Sequence, residues 1–119
     1  MPAQIVSVKS AEHYKWGGTG GADCDGWRLV TMPNLSVIEE FMPSGTSEAR
    51  HSHHHAHQFF YILEGELTLQ VDDREFILHA HEGIWISPGQ NHQAINQSAY
   101  SLRMLVISQP PSHGDRINA

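Results

Sequence analysis

Cysteine is nearly absent: the 119-residue chain has one, Cys24. A single thiol cannot close an internal disulfide, which excludes a disulfide-stapled scaffold and leads us to expect a cytoplasmic home. Basic residues are also scarce. Seven Lys and Arg stand against thirteen Asp and Glu, a formal charge of −6 with neutral histidine. Nucleic acids and anionic membrane surfaces are read by basic faces, so neither is an expected partner. No apolar run approaches the ~20 residues of a membrane-crossing helix. The opening MPAQIVSVKSAEHYK lacks the basic-then-apolar order of an export signal. Helical period is missing as well: no extended window places apolar residues at the 3.6 spacing.

What the chain does have is short apolar runs divided by turn residues. Trp27 to Met32 and Leu35 to Met42 are parted by Pro33-Asn34, and Gln58 to Leu63 ends at Glu64-Gly65. Leu67, Leu69 and Val71 alternate with Thr68 and Gln70, the period of a half-buried strand. Asp72-Asp73 then turns the chain into Glu75 to Leu78, its hairpin partner. Ile84 to Ile86, His92 to Ile95 and Tyr100 to Ile107 complete the set. Such spacing predicts an all-β fold, a single-domain sandwich or jelly-roll barrel over residues 27–108. Residues 1–26, with the glycine-rich WGGTGGADCDG, read as an arm of little regular structure. Residues 109–119 read as a polar tail in which Pro110-Pro111 forbids helix.

Histidine is the excess. There are ten, and five of them fall between His51 and His57 as HSHHHAH. In extended chain, residues i and i+2 share a face, so His51 and His53 project together. Neutral imidazole is the commonest side-chain metal ligand. Two ligands do not complete a site. Further donors are expected from elements distant in sequence, with Gln58 opening the next strand and His92 following the Pro88-Gly89 turn.

Two segments around these residues resemble the paired motifs of the cupin superfamily. GTSEARHSHHHAHQFFYILEG is similar to the first motif through Gly45, His51, His53, Gln58 and Gly65. SPGQNHQAIN is similar to the second through Ser87, Gly89, His92 and Asn96. The resemblance, closest to small single-domain bacterial cupins, implies a double-stranded β-helix, the cupin jelly-roll barrel. It implies one divalent ion per chain, Mn, Fe, Ni or Zn, held by His51, His53, Gln58 and His92. A kink in the histidine loop would instead offer His57 in place of Gln58. Three positions depart from the pattern: Gln58 fills the usual glutamate slot, Ser87 replaces a proline, and His81 replaces the leading glycine of the second motif.

The first departure matters for chemistry. A glutamine oxygen adds no charge and takes no proton at neutral pH, so the ion keeps its full double charge. Reactions that need the motif carboxylate as base are disfavoured. Lewis-acid chemistry on a small carbonyl, enol or hydroxy-acid substrate is expected, as isomerase, lyase or dioxygenase, with a non-catalytic small-molecule or sugar-binding module as the alternative. Phe60 shares a face with Gln58 and is expected to line the substrate pocket, with Trp85 and Trp27 as its aromatic wall. Open sheet edges lead to the expectation of a homodimer.

Overall fold

The computed structural model describes residues 2–18 and 22–119, so residues 19–21 of the expected glycine-rich loop lie outside the described residues. The described residues contain eleven strands and no helix. They are β1 Glu12–Trp16, β2 Cys24–Met32, β3 Leu35–Met42, β4 His51–His53, β5 His57–Glu64, β6 Glu66–Val71, β7 Arg74–His79, β8 Gly83–Ile86, β9 His92–Ile95, β10 Leu102–Gln109 and β11 Arg116–Asn118. Two antiparallel sheets form, a six-stranded one ordered β1-β2-β3-β10-β5-β8 and a five-stranded one ordered β11-β4-β9-β6-β7. This is the double-stranded β-helix that the turn spacing and the motifs led us to expect.

Alternation decides what lies between the sheets. Along β5, Gln58, Phe60 and Ile62 are buried while Phe59, Tyr61 and Leu63 are only partly so. Along β10, Leu102, Met104, Val106 and Ser108 are buried in the same way. Leu67, Leu69, Val71 and Ala94 face them from the five-stranded sheet. Each fully buried aliphatic side chain stabilises by roughly 1.5–3 kcal/mol, so these inner rows carry the fold.

Two segments differ from their expected character. The first 26 residues are not merely an arm. EHYKW forms β1, which pairs antiparallel with the start of β2, Trp16 opposite Cys24 and Glu12 opposite Arg28. The polar tail forms β11 and pairs with β4, Arg116 opposite His53. Polar strands carry a weak apolar signal, and both gain their order from edge pairing with a sheet that already exists.

Asn96 closes the turn before β10. Fully buried, its amide donates to the carbonyls of Met42 and Tyr100, while its oxygen accepts from the Ser98 N–H and hydroxyl. His81, at the position of the motif's leading glycine, is exposed and adopts φ 71°. It satisfies the backbone conformation that glycine serves there, and it points to solvent.

Candidate metal centre

β4 and β9 lie side by side with His51 directly opposite His92. The i, i+2 relation brings His53 beside His51, with ring centroids 4.9 Å apart. His92 lies 4.4 Å from His51 and 5.6 Å from His53 by the same measure. One nitrogen from each ring lies within 4.8 Å of the others, so the three could hold one metal ion. All three side chains are buried.

The backbone sets two of the tautomers. His51 Nδ1 donates to the Ala49 carbonyl at 2.8 Å, and His92 Nδ1 donates to the Gln90 carbonyl at 3.0 Å. Each ring is thereby left with an Nε2 lone pair to offer. Burial holds all three imidazoles neutral. It pushes His51 down to about 3 and His53 down to about 4, with repulsion between the rings adding to it, and it lowers His92 too. Neutral imidazole is the metal-binding form.

Gln58 reaches the same cavity from the opposite sheet. Its amide nitrogen donates to Ser108 Oγ at 3.1 Å, which turns the oxygen inward. Gln58 Oε1, His53 Nδ1 and His92 Nε2 are buried polar atoms without a hydrogen-bond partner among the described residues. Unpartnered buried acceptors are costly, at ~1–3 kcal/mol each. The clustered histidine nitrogens, with the unpartnered Gln58 oxygen in the cavity that His51 and His53 line, make a neutral donor set that fits a cation. His57 is exposed and faces the other way, with its ring against Trp85 at 5.3 Å.

His51 and His53 open on a cavity of about 1100 Å³. Phe60 lines it, as expected. Trp85 and Trp27 do not. Trp85 is 57% exposed on the outer face of β8, and Trp27 lies on the outer face of β2, between His13 and the Arg103 guanidinium. Arg103 pairs with Glu39 on that outer face at 2.9 Å. The aromatic wall comes instead from Tyr14 and Trp16 of β1. The sequence does not single them out, because they stand in the segment expected to be an arm. The alternation of Glu12, Tyr14 and Trp16 with His13 and Lys15 was the available signal.

Two carboxyls were passed over as well. Glu40 and Glu48 both line the cavity. Glu48 accepts from the Ala94 N–H at 2.9 Å, and its other oxygen lies 3.8 Å from His51 Nδ1. Glu40 accepts the Tyr14 hydroxyl. Burial pushes both carboxyls up, Glu40 to about 8 with the Glu48 charge adding to it, and Glu48 to about 7 against the pull of the Ala94 N–H and Arg116. Of the two cations at the cavity, Arg28 is paired to Glu12 at 2.8 Å and covers the Tyr14 ring, and Arg116 donates to the Ala49 carbonyl.

The tail completes the enclosure. Pro110, Pro111, Ser112, His113 and Gly114 line the cavity, and Asp115 anchors them. The Asp115 carboxylate accepts the backbone N–H groups of His54, His55 and Ala56 at 2.9 to 3.1 Å. Ser112, His113 and Asp115 therefore serve the histidine loop and the cavity rim. Cys24 is fully buried and its thiol is pushed up by burial, so it offers no nucleophile.

The family described as the cupin domain matches residues 37–108. An uncharacterised protein of Methanocaldococcus jannaschii is 32% identical over 95 residues, spanning 74% of this chain and 76% of its own. The tetracenomycin polyketide synthase protein TcmJ of Streptomyces glaucescens is 27% identical over 113 residues, spanning 91% of this chain and 72% of its own. Among solved structures, an RmlC-like cupin from Shewanella frigidimarina superposes with a TM-score of 0.80 at 19% identity, covering 95% of this chain and 96% of that one.

Proposed function

Since this chain belongs to the cupin family, we propose that it is a metal-dependent enzyme acting on a small oxygenated substrate, by isomerase or lyase chemistry. The observation that carries the reading is the cluster of three buried, neutral histidines beside the unpartnered Gln58 oxygen, with His51, His53 and Gln58 lining one cavity. His51, His53, His92 and Gln58 are the ligands of one divalent ion, drawn from Mn, Fe, Ni and Zn. When bound, such an ion supplies a Lewis acid for a carbonyl or enol oxygen. With glutamine in place of the motif glutamate, no ligand lowers the charge it presents.

The chain's own groups suit the same chemistry. Phe60, Tyr14 and Trp16 give a flat apolar surface for a ring or a conjugated chain. Glu40 and Glu48 can accept and return protons. TcmJ is named for a polyketide synthase, and polyketides are carbonyl-rich, which agrees with a carbonyl-bearing substrate. We also propose a homodimer. The outer face of the six-stranded sheet presents Trp85 at 57% exposure beside partly covered Phe59, Tyr61, Leu105 and Ile107.

Elemental analysis of protein purified without nickel chromatography tests the metal. About one ion per chain is expected, falling at least tenfold in His53→Ala and by a smaller factor in Gln58→Ala. Full retention in His53→Ala overturns the centre. Unchanged retention and turnover in Gln58→Ala removes glutamine from the ligand set. A protein whose metal can be stripped with loss of melting temperature alone, and no loss of turnover, is a binding module instead.

A further inference from the structure

A carboxyl and a phenol meet across three strands in the cavity wall. Tyr14 on β1 stands opposite Gly26 on β2, and Gly26 stands opposite Glu40 on β3. The middle residue has no side chain. A Cβ at Gly26 would overlap the Tyr14 ring and hydroxyl. The phenol therefore lies across the bare strand and donates to the Glu40 carboxyl. Arg28 lies over the other side of the ring, 4.5 Å from its centroid.

This arrangement costs stability that a structural residue would not need to spend. Glu40 has no guanidinium or ammonium partner among the described residues, although it lines a walled cavity. Such a carboxyl is ordinarily replaced by an apolar residue unless it has work to do. The groups that act on it are Tyr14 from β1, Cys24 from β2 and Glu48 beyond the end of β3, with Arg28 acting on the Tyr14 ring. Glu48 in turn stands beside His51, so the carboxyl pair connects the Tyr14 end of the cavity to the histidine end.

We propose that Glu40, positioned by Tyr14, is the proton-transferring catalytic residue of this cavity, and that its substrate is an uncharged, ring-bearing carbonyl compound. The inference rests on the enzyme reading above. The Glu40 carboxylate takes a proton from the carbon next to the carbonyl. The C–H bond breaks, an O–H bond forms on Glu40, and the released electron pair becomes the C=C of the enolate as the carbonyl oxygen gains the charge. Glu40 then returns that proton to another carbon or oxygen of the same molecule. Nothing is oxidised or reduced, and Glu40 ends as it began. The carboxyl lies in the range where it can serve as both acid and base near neutral pH. It supplies the proton acceptor that Gln58 cannot.

The charge of the wall sets the substrate class. Glu12, Glu40 and Glu48 line the cavity, while Arg28 is held by Glu12 and Arg116 by backbone. A carboxylate or phosphate substrate would meet the Glu40 and Glu48 carboxyls, and of the two guanidiniums Arg28 is already paired to Glu12 and Arg116 already acts on Glu48. The aromatic side chains accept a ring.

α-Tetralone, an uncharged aromatic ketone, is the probe. Infrared difference spectra of wild type against Glu40→Gln isolate the protonated Glu40 carboxyl band. The band should shift when α-tetralone is added, and in Tyr14→Phe it should persist to higher pH, because the hydrogen bond from Tyr14 is lost. In heavy water, the metal-loaded wild type should exchange the hydrogens beside the probe's carbonyl. The rate should fall ~100-fold in Glu40→Gln and ~10-fold in Tyr14→Phe, with metal content unchanged in both. Wild-type exchange in a fully loaded Glu40→Gln protein overturns the proposal, and so does a Glu40 band that the probe leaves unmoved. A wild type that takes up no metal, yet shifts the band with the probe, sinks the metal reading while still supporting contact between Glu40 and the carbonyl compound.

Discussion

At the scale of single residues, burial shifts the titration of the three site histidines and of Glu40 and Glu48. It acts in opposite directions on the two kinds. Histidines are held neutral, which readies them for a cation. Glu40 is pushed up to about 8, where near neutral pH it can take a proton as carboxylate and return it as acid. The second effect has a measurable sign. Glu40 titrates near its ordinary 4.5 in the unfolded chain and at about 8 in the folded one. Between those values the native state holds a proton that the unfolded state has lost. Its contribution to stability is therefore whole below the lower value, falls as pH rises, and is gone above about 8. Glu40→Gln removes this dependence. Urea unfolding of metal-free protein at several pH values should show the wild type losing up to ~1.4 kcal/mol per pH unit relative to the variant across that window. The histidines are present in both proteins and drop out of the difference, whereas Glu48, coupled to Glu40, contributes through its altered titration in the variant. Parallel curves would place Glu40 in ordinary solvent.

At the scale of elements, one turn and one strap have testable energetics. His81 holds φ 71° where the motif has glycine. The left-handed region costs a non-glycine residue ~1–2 kcal/mol, whereas glycine loses ~0.5–1 kcal/mol of backbone freedom on folding. The first term is larger, so His81→Gly should stabilise by roughly 0.5 kcal/mol, read from denaturant midpoints at constant m-value. The second element is the strap formed by the tail. Asp115 caps three N–H groups of the histidine loop, and its side chain ties the start of β11 to the loop's backbone between β4 and β5. Asp115→Ala should cost ~1–3 kcal/mol. It should also speed amide hydrogen exchange at His54 to Ala56, while the core amides of β6 and β10 keep their protection. Uniform acceleration across the chain would show that the strap is part of the global unfolding unit.

At the scale of the whole molecule, the proposed ligands come from both sheets. β4 and β9 bring the histidines from one, and β5 brings Gln58 from the other. A cation held by all four ties the sheets together, so binding is linked to folding. At free metal one hundred times the dissociation constant, the folded state should gain ~2.7 kcal/mol, and the melting temperature should rise by several degrees. Gln58→Ala should shrink that rise, and His53→Ala should abolish it. The proposed homodimer is tested by the same preparation: light scattering behind size exclusion should give twice the 13.3 kDa chain mass, and Trp85→Glu on the outer face should return it to one. A monomeric wild type would remove the dimer.

Much of this protein was determined by the sequence alone, through features that are local. Alternation within β5, β6 and β10 specified strands and their shared faces, because neighbouring side chains in extended chain must oppose. The spacing of His51 and His53 specified a chelating pair for the same reason, and the glycines and prolines marked the turns between strands. What alternation cannot say is which face is inner and which strands become neighbours. Trp27 and Trp85 therefore lie outside the cavity in which their sequence leads one to expect them, and Tyr14 and Trp16, within the expected arm, wall it. Only the tertiary pairing of β1, β2 and β3 sets a phenol, a bare glycine and a carboxyl in one row. That row exists because strand register joins residues far apart in the chain, and register is settled by the closing of the whole barrel.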